Sequence, residues 1–235
     1  MSILQAIRTF FFYLLLGTSS LLWCSLSFFV APFLPFRARY RFINVYWCRC
    51  ALWLTRVFLK IDVRVTGAEN IPQRPCVILA NHQSTWETFF LSAYFQPLSQ
   101  VLKRELLYVP FFGWAMAMLR PIAIDRDNPK AALKHIAKKG DELLKDNIWV
   151  LIFPEGTRVE HDNEVEAKTG AVRIASKMKV PILPVYIPRG KKIFGRVELL
   201  VGKPYTVEGK THEEYLRLAD GVMERIYELR DGTNG

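Results

Sequence analysis

His82 and Glu87 are the residues of this chain best placed to move a proton. They stand in Cys76–Glu87, CVILANHQSTWE, where an imidazole that titrates near neutrality can take a proton from a hydroxyl, and a carboxylate can fix its tautomer and stabilise its cation. Five positions along one regular helix would leave the two side chains about 140° apart, so the pair meets only across a loop-to-helix junction. The sequence supplies one. Cys76 to Ala80 is an unbroken apolar run suited to a strand buried on both faces. Ser84-Thr85-Trp86-Glu87 has the Ser-x-x-Glu pattern of a capping box, with Ser84 as N-cap. Glu87 is then the third helical residue and its carboxylate points back toward His82. Taken alone, the pattern fits equally a glutamate that only closes the cap. The corner also lies at the carboxyl end of a strand, where open α/β sheets collect ligands, and the free amides of a helix start suit an anion or a developing oxyanion. Ser84 is a poor nucleophile candidate, because the cap occupies its hydroxyl and no Gly-x-Ser-x-Gly elbow is present.

A second apolar run ends in Phe153-Pro154-Glu155-Gly156-Thr157-Arg158. Gly156 permits a tight backbone path, Arg158 offers a planar fork suited to a phosphate, and Glu155 can accept bonds from glycerol hydroxyls. Lys103 and Arg104 follow another short extended run, and Lys168 opens a helical stretch, so each can meet a phosphate. Each of these segments also fits a plain turn or a solvated surface. The four cysteines, Cys24, Cys48, Cys50 and Cys76, lie in or near apolar segments without the spacing or histidine partners of a zinc site, which predicts reduced thiols and no metal.

The elements that must position these residues begin with an apolar stretch. Thr9 to Phe36 is 28 residues without a charge, longer than a spanning helix requires, with Pro32 and Pro35 expected to end its helix. Arg41, Arg49, Arg56 and Lys60 then fall within about 100° on a helical projection, a basic stripe beside Trp47 and Trp53 that suits a helix lying at anionic headgroups. The net charge of +10 calls for an acidic partner, and this N-terminus selects membrane lipid over nucleic acid. Residues 1–60 are therefore predicted to be two membrane-binding helices and residues 61–235 an α/β domain. Within that domain, extended and helical patterns alternate: strands near residues 61–66, 76–80, 100–103, 121–124, 148–153, 182–187 and 197–201, and helices over 85–95, 109–119, 130–145, 167–179 and 211–230. Such alternation predicts a mixed, mainly parallel sheet flanked by helices.

Four blocks together carry a family resemblance. Asn81-His82-x-Ser84 with an acid five residues after the histidine, Lys103-Arg104-Glu105 running to Pro110-x-x-Gly113, Phe153 to Arg158, and Val180 to Val185 resemble, in order and spacing, the motif blocks of the glycerolipid acyltransferases. The family pattern is His-x4-Asp; here the acid is Glu87, one methylene longer. The resemblance implies transfer of a fatty acyl group from acyl-coenzyme A or acyl carrier protein to a lysophospholipid, with the sn-2 hydroxyl of 1-acyl-sn-glycerol-3-phosphate as first choice. Glycerol-3-phosphate or a lysolipid with another headgroup is the alternative acceptor, and a non-catalytic membrane-tethered binder of anionic ligands is the remote one. It also implies His82 and Glu87 as the catalytic pair, acceptor phosphate binding by Arg158 with Lys103, Arg104 or Lys168, no metal or redox cofactor, and a place on the cytoplasmic face of a bacterial inner membrane.

Overall fold

The structure is a computed structural model and describes residues 3–156, 169–187 and 196–231. Seven strands, Asp62–Thr66 (β1), Val77–Ala80 (β2), Leu98–Lys103 (β3), Ile122–Ile124 (β4), Trp149–Ile152 (β5), Ile182–Tyr186 (β6) and Arg196–Val201 (β7), form one sheet in the order β1-β7-β6-β2-β5-β3-β4. Every pairing is parallel except that of β6 with β7. Continuous apolar composition explains the centre: every residue of β2, β5 and β6 is buried. β1, which alternates Asp62, Arg64 and Thr66 with valines, lies at an edge and shows an alternating exposure.

The pleat of β2 divides the interior into two cores. Val77 and Leu79 pack with Ile136, Leu143, Ile174, Val222 and Ile226, from helices Pro129–Lys145 (α6), Gly170–Met178 (α7) and His212–Asp231 (α8). Cys76, Ile78 and Ala80 face the opposite way, onto Ile43, Val45, Leu91 and Ala115. The last two come from Thr85–Tyr94 (α4) and Phe112–Ala117 (α5). The result is helix, sheet and helix in three layers, the mixed and mainly parallel arrangement that the alternation predicts.

The N-terminal apolar stretch is one helix, Ile3–Val30 (α1). Pro32 sits in a 3-10 turn, and Pro35 is the N-cap of Phe36–Tyr40 (α2), which continues through a π-turn at Arg41–Tyr46 into Trp47–Leu59 (α3). α1 and α3 are antiparallel: Phe12 packs with Leu54 and Leu59, and Trp23 Nε1 donates to the Phe42 carbonyl at 2.9 Å. α3 in turn holds α4 through the Trp86 indole on Thr55 Oγ1 and through Trp47 edge-on to Phe89. The segment Ile3–Phe33 is long and apolar enough to cross a membrane, with a mean hydropathy of 1.8 and only 11% of its apolar window buried. Arg49, Arg56 and Lys60 are exposed as a basic face requires, while the π-turn offsets Arg41 from a straight projection.

One predicted helix is shorter than its pattern. Residues 109–119 yield only α5, preceded by a 3-10 turn at Arg104–Tyr108. Pro110 disfavours a helical Val109 and offers no amide of its own, and Phe111 adopts a positive φ of 58°, so the chain breaks before α5 begins.

Candidate active site

The carboxyl ends of β2, β3, β4 and β5 lie along one edge of the sheet, because these strands are parallel and in register, Leu79 opposite Ile152 and Lys103 opposite Ile124. The segments that carry His82, Lys103 and Glu155 leave the sheet there. Ser84 caps α4 in an extended conformation, yet its hydroxyl accepts no amide hydrogen from the helix. Instead the Ser84 hydroxyl donates to Glu87 Oε1 at 3.0 Å, and the Gln83 amide donates to Glu87 Oε2 at 2.9 Å. The expected capping box is thus replaced by a variant in which the glutamate accepts from the Ser84 hydroxyl and from the amide of the residue before the cap. The same Oε2 lies 3.2 Å from His82 Nδ1. Cap and histidine contact are functions of one carboxylate, and the two readings of Glu87 do not compete.

His82 is held from two further directions. Its ring stacks on Phe153 at a centroid distance of 4.0 Å, and its backbone amide donates to Glu155 Oε2 at 2.7 Å. Glu155 is 3% exposed. One oxygen of its carboxylate is turned onto the histidine loop, a contact that positions the loop. Burial pushes the Glu155 carboxyl up to about 7; the His82 amide opposes that rise and the nearby Glu87 adds to it. Gly156 closes the turn with φ 68°, a conformation that suits glycine.

Asn81 completes the frame. Its side-chain amide donates to the Ile187 carbonyl at 2.9 Å, and its side-chain oxygen accepts from the Ile187 amide at 2.8 Å. This buried pair ties the end of β2 to the end of β6 and leaves His82 as the first residue free to turn toward the site. Nδ1 is engaged by Glu87, so Nε2 is the nitrogen that can meet a substrate.

His82 lines a cavity of about 840 Å³, within the range of small-molecule and cofactor sites. Its wall is drawn from both halves of the molecule: Ser20 and Cys24 of α1, Trp47 of α3, Phe89 of α4, Met116 of α5 and Ile136 of α6. Lys103 and Arg126 bring exposed cations to it. Lys103 also lies 3.5 Å from Glu105. Arg104 does not line the cavity; its guanidinium is paired with Asp125 at 2.9 Å. Arg126 carries no motif in the sequence, and only the pairing of β4 with β3 brings it beside Lys103. Thr157, Arg158 and Lys168 lie outside the described residues. Among the described residues no group of three His, Cys, Asp or Glu side chains stands together as metal ligands.

The chain matches known proteins in sequence and in fold. A family model described as Acyltransferase matches residues 62–188. A 1-acyl-sn-glycerol-3-phosphate acyltransferase of Pseudomonas aeruginosa is 56% identical over 218 residues, covering 89% of this chain and 85% of that protein. A protein of the same name from Saccharomyces cerevisiae is 32% identical over 191 residues, 76% of this chain and 63% of that one. Among solved structures, the 1-acyl-sn-glycerophosphate (LPA) acyltransferase PlsC from Thermotoga maritima superposes with a TM-score of 0.73 at 25% identity, over 96% of each chain.

Proposed function

This chain belongs to the acyltransferase family, and on that premise we propose that it moves a fatty acyl group from a thioester donor to the sn-2 hydroxyl of 1-acyl-sn-glycerol-3-phosphate, giving phosphatidic acid for phospholipid synthesis. The observation that carries the reading is His82 held at Nδ1 by Glu87 Oε2 with its ring on the wall of a large, mostly apolar cavity. His82 Nε2 takes the proton from the acceptor hydroxyl as the oxygen attacks the thioester carbonyl. Glu87 steadies the imidazolium that results. The carbon–sulfur bond then breaks and the proton returns to the leaving thiolate, which is a good leaving group with a thiol pKa of about 8 to 9. The Gln83 amide is already engaged by Glu87, so oxyanion stabilisation falls to the remaining amides at the start of α4.

The acyl chain occupies the cavity between the N-terminal helices and the sheet. Lys103 and Arg126, with Arg158, meet the acceptor phosphate, and the donor is acyl-coenzyme A or acyl carrier protein. The uncharged stretch between Arg8 and Arg37, most of it in α1, keeps the site at the cytoplasmic surface of the inner membrane, where a lysolipid and a soluble thioester meet.

The test is thiol release by the full chain in lipid vesicles, with both donor types and an acceptor panel of 1-acylglycerol-3-phosphate, glycerol-3-phosphate and lysolipids with other headgroups. Fastest release is expected with the first acceptor, and His82→Ala should lose about 10²- to 10⁴-fold while keeping the fold. Preference for glycerol-3-phosphate would overturn the acceptor assignment, and wild-type release by His82→Ala would overturn the mechanism.

A further inference from the structure

The segment between β3 and β4 has a surface that the reaction as described does not use. Leu106 to Leu119 is a run of 14 residues without a charge, a length that in sequence alone fits a buried core helix or a re-entrant or interfacial segment. The structure decides between these. Tyr108 is 71% exposed, Val109 44% and Trp114 42%, so the outer side of the segment is an open apolar and aromatic surface. Single exposed apolar residues are ordinary, but a contiguous group of them marks an interaction site.

The charges that bound this run are paired, Glu105 with Lys103 and Arg120 with Asp146, and the tip between them carries none. The tip is also built to hold its shape. Phe111 keeps a positive φ of 58°, a backbone conformation that a bulky side chain rarely takes. Gly113 lies so near the 3-10 turn that a Cβ there would collide with the Leu107 carbonyl.

What covers the surface follows from what it touches. The Trp114 ring lies 5.1 Å from Phe28 of α1 and 5.2 Å from Phe111. Beyond Phe28, α1 and the turn after it expose Phe29 at 66% and Phe33 at 87%. The patch therefore continues, ring to ring, into the helix that is apolar enough to lie in lipid. Tryptophan and tyrosine at the border of an apolar surface are the residues that favour the headgroup level of a bilayer.

We propose that the segment Leu106–Leu119 is a second membrane-seated element, dipping into the headgroup and acyl boundary of the leaflet beside the C-terminal end of α1. Its inner side, Leu106, Phe112, Ala115 and Met116, lines the cavity that His82 reaches. The segment is thus the partition between bilayer and active site, and a single-chain lipid acceptor passes along it without crossing water. This deepens the proposed acyl transfer and rests on that reading for the identity of the lipid.

The experiment uses the full chain with Cys50→Ser, which removes the exposed native thiol, in vesicles of phosphatidylethanolamine with a minor fraction of phosphatidylglycerol. A polarity-sensitive fluorophore on Val109→Cys should show blue-shifted emission and quenching by lipids brominated near the carbonyl end of their chains, whereas the same label on Glu224→Cys of α8 should report water. Emission at 109 equal to that at 224 would overturn the proposal. Shielding at 109 from an aqueous quencher without quenching by brominated lipid would also overturn it, in favour of a protein partner. The activity arm compares Tyr108→Asp/Val109→Asp with the parent; neither residue lines the cavity. kcat/KM for a vesicle-embedded acceptor should fall about tenfold or more, because two side chains no longer favour the boundary, while that for a short-chain acceptor free in water should be unchanged. Equal loss on both acceptors would refute the membrane role. A parent protein inactive on both would instead count against acyl transfer and leave the fluorescence result standing.

Discussion

Substitution of Glu155 by glutamine separates the two things its carboxylate does. In the folded chain, burial raises this carboxyl from its ordinary 4.5 to about 7, a preference for the neutral form worth ~3 kcal/mol. Between those two pH values the folded protein holds a proton that the unfolded chain has released, so the native state binds more protons and its stability falls as pH rises. The contribution of the neutral carboxyl is fully present below about pH 4.5 and is lost by about pH 7. Glutamine has no proton to lose there, and its side-chain oxygen can still accept from the His82 amide, now 2.7 Å from Glu155 Oε2. Glu155→Gln should therefore be more stable than wild type above pH 7, by about 2–3 kcal/mol, which for a chain of this size corresponds to roughly 4–12 °C in Tm. The two should converge below about pH 4.5. Urea unfolding and thermal melts of the detergent-solubilised proteins, followed across that range, measure the difference directly. kcat of Glu155→Gln should stay within about threefold of wild type because the loop contact survives, whereas Glu155→Ala should lose more than tenfold by freeing the His82 loop. If wild type and Glu155→Gln show the same slope of stability against pH, the buried carboxyl is not the titrating group and the reasoning fails.

Two further substitutions probe the frame around the histidine. Glu87→Gln keeps an oxygen for the Gln83 amide and turns an NH2 to the Ser84 hydroxyl, which can rotate to accept from it, but loses the charge that stabilises imidazolium, so kcat should drop about 10²-fold or more with Tm nearly unchanged; unaltered kcat with a lowered Tm would reduce Glu87 to a cap. Asn81→Ala leaves the buried Ile187 amide and carbonyl without their side-chain partner, and urea titration should show a loss of about 2–4 kcal/mol, against which a neutral result would remove Asn81 from the account of how the strand ends are tied.

The fold was legible where the signal was local and continuous. The uninterrupted apolar runs that became β2 and β5 suited strands buried on both faces, and they sit mid-sheet with every residue buried. His82 and Glu87 were legible for the same reason, because a five-residue spacing across a helix start determines their approach without help from distant chain. Glu155 and Asn81 stand in recognisable motifs, but their partners are 73 and 106 positions away. No periodicity carries that information; it arises when parallel strands bring three loops to one edge. Arg126 belongs with them, since it reaches the cavity only because β4 pairs with β3. The short α5 shows the opposite failure. Its composition reads as a long helix, and the break at Pro110-Phe111 is a backbone event that composition does not record.

The extra methylene of Glu87 is explained by the same local geometry. Glu87 Oε1 is engaged by Ser84, and Oε2 serves the Gln83 amide and His82 Nδ1 together. For one carboxylate to reach a residue five positions back while also meeting the two that intervene, it must fold over the N-terminus of its own helix, and a longer side chain does so without drawing the helix toward the loop. The consequence is that helix start and histidine orientation share a single group. Forces that disturb the start of α4 must rotate the imidazole, and tension on the His82 loop is resisted by Glu155 from the neighbouring strand and by Asn81 from below. His82 is thus fixed by contacts from the end of β2, from α4 and from the loop after β5, and the ring they hold borders the cavity.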